Sequence, residues 1–498
     1  MAEYWSQNRI DEYLQELNNE HQNVNADLHI HTTGSDGKDS PLLALLRAHA
    51  LGLRTISFTD HNSIKGYTEL KEQIKKKVIE YEEIMNPEST ASEEDRKKAG
   101  LGLERLLRIL KEMNFITGCE VVTVFKECPY VEILAYNVDL GILKSKLDEE
   151  GKKANLKAPG ELIAKGLINI IKDNGLIIDE YFIKNRNNYK KLFFHELCKH
   201  PENKKYFEGI EGEDEEERAD NFAKKYIDNK DSSFYVDVSD DNKLNRKKDM
   251  KTMIDQKIKS GDIVFDIEVI QNAGGAAGQF YTELKKHSEN ETKYDKTKIN
   301  TPKNFLYKGL YNPNSMFYVD LRSTKLPPET VIKVIHESGL NEEPGIALVA
   351  HWGRYSLSNE EIFGWKKEDG SKNTEGLKNL EELIDMCDGG ECEYPDNPLE
   401  LRIILYNMCK EKGKNISIGG DDHGKVSKEG QQYRLGSQKA IAELSGLEWI
   451  KPAKIEGTDL MEMLDEEFKF RARLEKLIER KKELEAMIAK GEASKINV

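Results

Sequence analysis

NADLHIHTTGSDG, residues 25–37, sets two histidines one residue apart at the end of an apolar run and follows them with a turn carrying an aspartate. Alternate residues of a strand share a face, so His29 and His31 can aim both imidazoles at one centre. Taken alone, the stretch reads equally well as an ordinary strand and loop. Its meaning depends on whether the rest of the chain brings further ligand-type side chains to neighbouring strand ends.

Working outward, similar apolar runs end in polar residues at RTISFTDH (54–61), FITGCEV (115–121), VEILAYNV (131–138), GIALVAHW (345–352), GGECEY (389–394) and NISIGGDDH (415–423). Their β-branched content and lack of alternation suit strands buried on both faces. Helical patterns lie between many of them. Ser40-Pro41 opens one, with Ser40 as N-cap and Pro41 in the first turn, and LELRIILYNMCKEKGK (399–414) leads into the last strand. Such alternation, with polar residues at strand C-termini, is how barrel enzymes build active sites. Seven candidate strands predict an α/β chain folded as a distorted or incomplete (β/α)7 barrel.

Residues 67–114 interrupt the pattern with helices broken at NPESTASEED, and 141–324 reads as a larger, mostly helical insertion. The expected organisation is therefore barrel (1–140), insertion (141–324), barrel again (325–457) and a helical tail (458–498). Within the insertion, EGEDEEER (211–218) reads as a solvated acidic face. DIVFDIEVIQNAGGAAGQF (262–280) lacks phosphate-loop spacing, so Gly274, Gly275 and Gly278 are read as turn residues. In the tail, Leu474, Leu477, Ile478, Leu484, Met487 and Ile488 form a stripe. It is expected to pack on the chain's own body, near Leu14 and Leu17, with self-association through this helix as the sharper alternative.

The 498 residues carry a formal net charge of -15, which argues against tracking a long nucleic-acid backbone but not against a small phosphorylated substrate. No secretory leader or membrane-length apolar run is read, so no membrane partner is expected. Cys119, Cys128, Cys198, Cys387, Cys392 and Cys409 form no C-x-x-C pair and are expected to be free thiols in a cytoplasmic protein.

The ligand inventory is long: His29, His31 and Asp36; His61, beside Asp60; Glu120; Glu132; His351; and Asp421 and His423. Any one of them could be structural. Yet five of the chain's 11 histidines fall at predicted strand ends, where chance placement would scatter them through the helical insertions. Nine imidazole and carboxylate donors exceed what one ion needs and suit two or three divalent ions such as Mn²⁺, Zn²⁺ or Fe²⁺.

DLHIHTTGSDG, SFTDHNSIKG, TGCEV, EILAYNVD, VAHWGRY and IGGDDHG resemble, in this order, successive motifs of the PHP (polymerase and histidinol phosphatase) superfamily, and the branch acting on nucleotides and short RNA is the nearest likeness. The resemblance implies a PHP barrel and a metal-dependent hydrolase of phosphoric esters. It also implies a first metal on His29, His31, Glu120 and Asp421, a second shared through Glu120 and held by His351, and a third on Asp36, His61 and His423. Glu120, His351 and Asp421 would carry the catalysis. Three positions depart from the family. Glu132 stands where histidine is usual, a harder donor that either shifts preference from Zn²⁺ toward Mn²⁺ or Mg²⁺ or leaves the second metal site weak; Trp352 replaces a proline and Gly420 a serine.

Clustered divalent ions acidify a bridging water to hydroxide for in-line attack and neutralise phosphoryl charge. Arg354 is a candidate phosphate ligand, and His195, in KLFFHELC, a weaker substrate-binding candidate from the insertion. Asp27 and Asp60 could orient ligand imidazoles. The leading expectation is a phosphoesterase for a nucleotide or other small phosphorylated metabolite. The alternatives are a nuclease for short or single-stranded nucleic-acid ends and an amidohydrolase-like metal hydrolase.

Overall fold

The computed structural model describes residues 26–86, 88–126, 128–185, 188–235, 243–265, 276–357, 360–367, 369–424 and 470–489. The chain divides into two compact units, one holding the described residues up to Leu156, Lys325–Ser356 and those from Glu360 on, the other Lys157–Thr324 with 357–359.

The first unit is mixed α/β. A parallel sheet joins β1 (Ala26–Ile30), β2 (Thr55–Phe58) and the two-residue β3 (Asn114–Phe115). A second sheet runs β4 (Gly118–Phe125), β5 (Cys128–Tyr136), β6 (Ile346–Val349), β7 (Gly389–Glu393) and β8 (Asn415–Ile418). The expected (β/α)7 barrel is corrected by this topology: the sheets are small and neither closes on itself. The run expected as one strand over 115–121 is divided between the sheets, and β4–β5 and β5–β6 are antiparallel. The reason is chain length. β4 ends at Phe125 and β5 starts at Cys128, far too short a link for the crossover that parallel strands require.

Helices cover the sheets. Ser40 caps α1 (Pro41–Ala50) by accepting from the Leu43 backbone, as its sequence predicts. The segment 67–114 folds as α2 (Lys65–Met85) and α3 (Glu93–Glu112), and Ser92 and Asp95 form a reciprocal capping box at the polar break. Ala44, Leu45, Leu70, Ile74, Leu103 and Leu106 from these helices pack with Ile56 and Phe115 of the first sheet. The helix α4 (Leu140–Lys153) stays with this unit, because Leu140 and Leu143 are buried with Val131, Ile133 and Ile335. The insertion therefore starts at Lys157, not near 141.

The second unit includes the helices α5 (Pro159–Asn174), α6 (Glu180–Lys184), α7 (Tyr189–Lys199), α8 (Glu215–Phe222), α9 (Lys243–Lys259) and α10 (Ala276–Lys286). Phe193, Phe194, Phe222 and Phe234 centre one of its cores. Gly278 lies inside α10 and not in a turn; Gly274 and Gly275 lie outside the described residues.

Three further helices, α11 (Pro328–His336), α12 (Thr374–Met386) and α13 (Leu399–Glu411), pack on the larger sheet. The tail helix α14 (Phe470–Ala489) buries Leu477 against the α2–α3 core, with Arg473 paired to Glu82 and Lys481 to Glu104. Leu14 and Leu17 lie outside the described residues. All six cysteines are free thiols, and among the described residues no helix is long and apolar enough to cross a membrane.

Candidate metal centre

β1 delivers its histidines because its end is stitched to the turn after β8. Ile30 bridges Asp422, the His31 N–H donates to the Asp422 carbonyl (2.8 Å), and the Asp422 N–H returns to the His29 carbonyl (3.2 Å). Asp421 takes a left-handed backbone (φ 51°), which an aspartate tolerates, and its carboxylate turns toward the imidazoles. Gly419 is required for this approach: a Cβ there would sit 2.2 Å from the His29 Cβ and 2.3 Å from Glu391 Oε1. On the neighbouring edge, His61 bridges Glu120, and Asn62 N–H donates to the Glu120 carbonyl (2.9 Å).

Glu120 is the meeting point. Its Oε1 lies 3.3 Å from His29 Nε2 and 2.9 Å from His351 Nε2, and its Oε2 lies 3.3 Å from His31 Nε2 and 2.9 Å from His61 Nδ1. Glu132, opposite Val122 in the β4–β5 ladder, lies 3.2 Å from His351 Nε2 and 3.4 Å from His61 Nδ1. Asp421 Oδ1 lies 3.2 Å from His31 Nε2. Asp36 Oδ2, on the exposed side, lies 3.2 Å from His423 Nε2 and 3.8 Å from His61 Nε2. Three groups keep one ligand atom per residue within 4.8 Å of the others: His31, Asp36, His61 and His423; His29, His31 and Glu120; His61, Glu120 and Glu132. His61 thus faces both Asp36 and the Glu120–Glu132 pair, where the family resemblance gives it to one metal alone.

The electrostatics are those of a cation site. Burial alone would lower the imidazole of His29, but Glu120 and Glu391 hold it well above its ordinary value. His31 is likewise pushed up to about 10, against its burial, by Asp421 and Glu120. Burial and the neighbouring Glu120 push the Glu132 carboxyl up. Both Glu132 oxygens are buried and lack a hydrogen-bond partner among the described residues, as does Glu120 Oε2. Imidazoles stand at ion-pair distance from these oxygens without forming well-aligned hydrogen bonds to them, and burying carboxylates in this way costs several kcal/mol per ion. A set of imidazole and carboxylate donors with orphaned oxygens fits divalent metal ions, and its oxygen-rich side around Glu132 suits harder ones.

The supporting residues were only partly foreseen. Glu391, on β7, accepts from His29 Nδ1 (2.9 Å) and from the His351 backbone N–H (2.8 Å), so it orients the His29 imidazole and anchors the main chain that carries His351. Its sequence context, GGECEY, reads only as a strand; the signal for a support is a glutamate alternating with Glu393 in an otherwise buried strand. Asp60 orients no imidazole. It accepts from Thr32 N–H (2.8 Å), Thr32 hydroxyl (2.7 Å) and Ser35 hydroxyl (2.6 Å), shaping the turn that carries Asp36. Asp27 likewise accepts from backbone, the N–H groups of His29 and Gly420. Arg354 pairs with Asp421, whose other neighbours include the Tyr394 hydroxyl (3.2 Å), so its guanidinium is committed to a ligand carboxylate. Trp352 is buried against Tyr355 and Phe363. His195 belongs to the second unit, where Asp179 (2.8 Å) and Glu215 flank its ring and Tyr181 stacks on it.

Residues 27–240 match the family profile of the PHP domain. No curated protein matches the chain. Among solved structures, a protein of Bifidobacterium adolescentis assigned as a metal-dependent phosphoesterase is 15% identical, with 85% of this chain and 95% of that one covered at a TM-score of 0.36. An amidohydrolase from Chromobacterium violaceum, with bound sulfate and no metal, is 16% identical, with 87% and 100% covered at 0.35. Neither likeness is strong enough to carry weight. Residues 27–240 thus resemble a PHP domain, and that stretch contains His29, His31, Asp36, His61, Glu120 and Glu132, which the fold gathers with His351, Asp421 and His423 around one buried carboxylate.

Proposed function

We propose that this protein hydrolyses a phosphate ester on a small phosphorylated substrate, a nucleotide or a metabolite of similar size, with two or three divalent ions bound, Mn²⁺ foremost. The observation that carries the reading is Glu120: one fully buried carboxylate set against four imidazoles, with the buried Glu132 carboxylate beside it sharing two of them. Such a centre is built to hold adjacent cations, and adjacent cations serve phosphoryl transfer by neutralising phosphoryl charge and acidifying water. His29, His31, Glu120 and Asp421 would hold one ion, Glu120, Glu132 and His351 a second, and Asp36, His61 and His423 a third.

The chain's own residues do the positioning. Glu391 fixes His29 so that Nε2, not Nδ1, faces the centre. Arg354 and Tyr394 hold the Asp421 carboxylate from its outer oxygen and leave Oδ1 toward His31. Asp60 sets the turn on which Asp36 is exposed, giving the site one open side. The net charge of -15 favours a small substrate over a long polyanion.

The test is a hydrolysis screen of purified protein with added Mn²⁺, comparing p-nitrophenyl phosphate, mononucleotides, 3′,5′-bisphosphates, short RNA and DNA, and an amide substrate against a His29→Ala control. Cleavage of small phosphoesters that disappears in the control supports the reading. Amide cleavage alone, or equal rates in the control, overturns it.

A further inference from the structure

The carboxylates of the centre have their imidazoles, but the substrate proposed for it is itself an anion, and the nearby Arg354 is engaged with Asp421. One other cation sits on the segment that docks against β4. Lys325 opens the segment that returns the chain to the first unit, and that segment docks on β4, the edge strand of the larger sheet. The Leu326 carbonyl accepts from Thr123 Oγ1 (2.6 Å) and from the Val124 N–H (3.2 Å). Lys325 is thereby held beside the stretch of β4 that follows Val122, the residue paired with Glu132 across the ladder. Glu120, Val122 and Glu132 share one face there, because alternate residues and direct cross-strand partners do.

The lysine is half-buried, and no hydrogen bond or ion pair ties its ammonium to a described residue. Burial lowers its proton affinity from the ordinary lysine value, and Glu132 is the charge that pulls the other way. Ordinary lysines escape such a position by extending into water or by pairing with a carboxylate. One that does neither, beside the strand that pairs with Glu132 at a centre proposed to take an anionic substrate, is placed to meet a ligand.

We propose that Lys325 is a substrate-binding residue, donating from Nζ to a non-bridging oxygen of a phosphate group held on the Glu132 side of the centre. Its point charge suits a terminal phosphate, which offers more negative charge than a diester. The inference rests on the phosphoesterase reading, and the experiment separates the two.

Mn²⁺-loaded wild type, Lys325→Ala and Lys325→Arg are compared in three measurements: kcat and KM on p-nitrophenyl phosphate, the Kd of inorganic phosphate by calorimetry, and Mn²⁺ affinity. Lys325→Ala is expected to raise KM and the phosphate Kd about tenfold, the loss of one charged hydrogen bond. Its Mn²⁺ affinity stays at the wild-type level, and Lys325→Arg recovers most of the phosphate affinity. Unchanged KM and phosphate Kd in Lys325→Ala overturn the proposal. So does a defect that follows weakened Mn²⁺ binding, because the lysine would then only be balancing Glu132. If wild type hydrolyses no phosphoester but binds phosphate in a Lys325-dependent way, the functional reading fails and the anion site stands.

Discussion

Two histidine–carboxylate clusters in this chain look alike as residue lists and differ in geometry. In the second unit, His195 uses its two ring nitrogens on opposite sides, one toward Asp179 and one toward Glu215. Asp179 caps α6 and Glu215 opens α8, so the imidazole clips helix starts together. In the first unit, four imidazoles converge on Glu120 from the ends of three strands, β1, β2 and β6, and the Glu132 oxygens beside them have no hydrogen-bond partner among the described residues. A satisfied histidine between carboxylates is architecture. Convergent imidazole and carboxylate donors around buried oxygens are a charge pattern suited to cations.

The sharpest way to break that contrast is Glu120→Gln, which keeps the shape and removes the shared charge. Losing the charge stabilisation of adjacent ions, about 4 kcal/mol, corresponds to roughly a 10³-fold fall in kcat/KM. Bound metal measured by atomic emission should fall with it, and full metal content at wild-type rates would place the centre elsewhere. Next comes Glu391→Gln. Carboxylates that orient ligand histidines are worth roughly 10- to 100-fold in metal affinity or activity. A variant with intact Mn²⁺ affinity and rate would reduce Glu391 to a packing residue.

Glu132→His tests the unusual donor. Exchanging an oxygen donor for nitrogen should move the Zn²⁺-to-Mn²⁺ affinity ratio upward, by about tenfold if Glu132 is a direct ligand. An unchanged ratio in competition titrations would remove Glu132 from the coordination sphere.

The smallest effect belongs to the other cluster. Burial opposes protonation of His195, but Asp179 and Glu215 prevail and raise its pKa, with Lys199 also paired to Asp179. A raised folded-state pKa gives stability that is present below the unfolded value of about 6.5 and is lost as pH rises through the folded value. His195→Ala should therefore cost up to about 1 kcal/mol in urea unfolding at acid pH, with a smaller cost in alkali. Hydrolysis should be untouched; a rate defect with normal stability would move His195 into the site.

How much of this was legible beforehand varies residue by residue. The ligand-type positions were visible because each stands at or just after an apolar run: His29 and His31 at the end of β1, Glu120 within β4, His351 beyond β6, and Asp421 and His423 beyond β8. Strand-end placement is a local property, and one sequence displays it. Glu391 was not legible as a support, because its acceptor role exists only when a strand 362 residues from His29 comes to lie beside it. The role of Arg354 was obscured similarly: its spacing from His351 suggested a phosphate grip, whereas its guanidinium pairs with Asp421, 67 residues on. The β4–β5 hairpin is legible in the sequence itself: a link from Phe125 to Cys128 is too short to cross a sheet, which excludes a uniformly parallel barrel.

By itself, then, the order of residues determined the donor types, their positions near strand ends and the helical character of the interruptions, since periodicity, capping and turn chemistry act over a few residues. Tertiary structure alone decided that the sheets stay open, that α4 joins the first unit, and that Glu120 stands within reach of four imidazoles while His195 is spent on helix starts. Those outcomes depend on which buried faces meet and which carboxylates keep a partner. That is a balance of packing and desolvation, and no local stretch contains it.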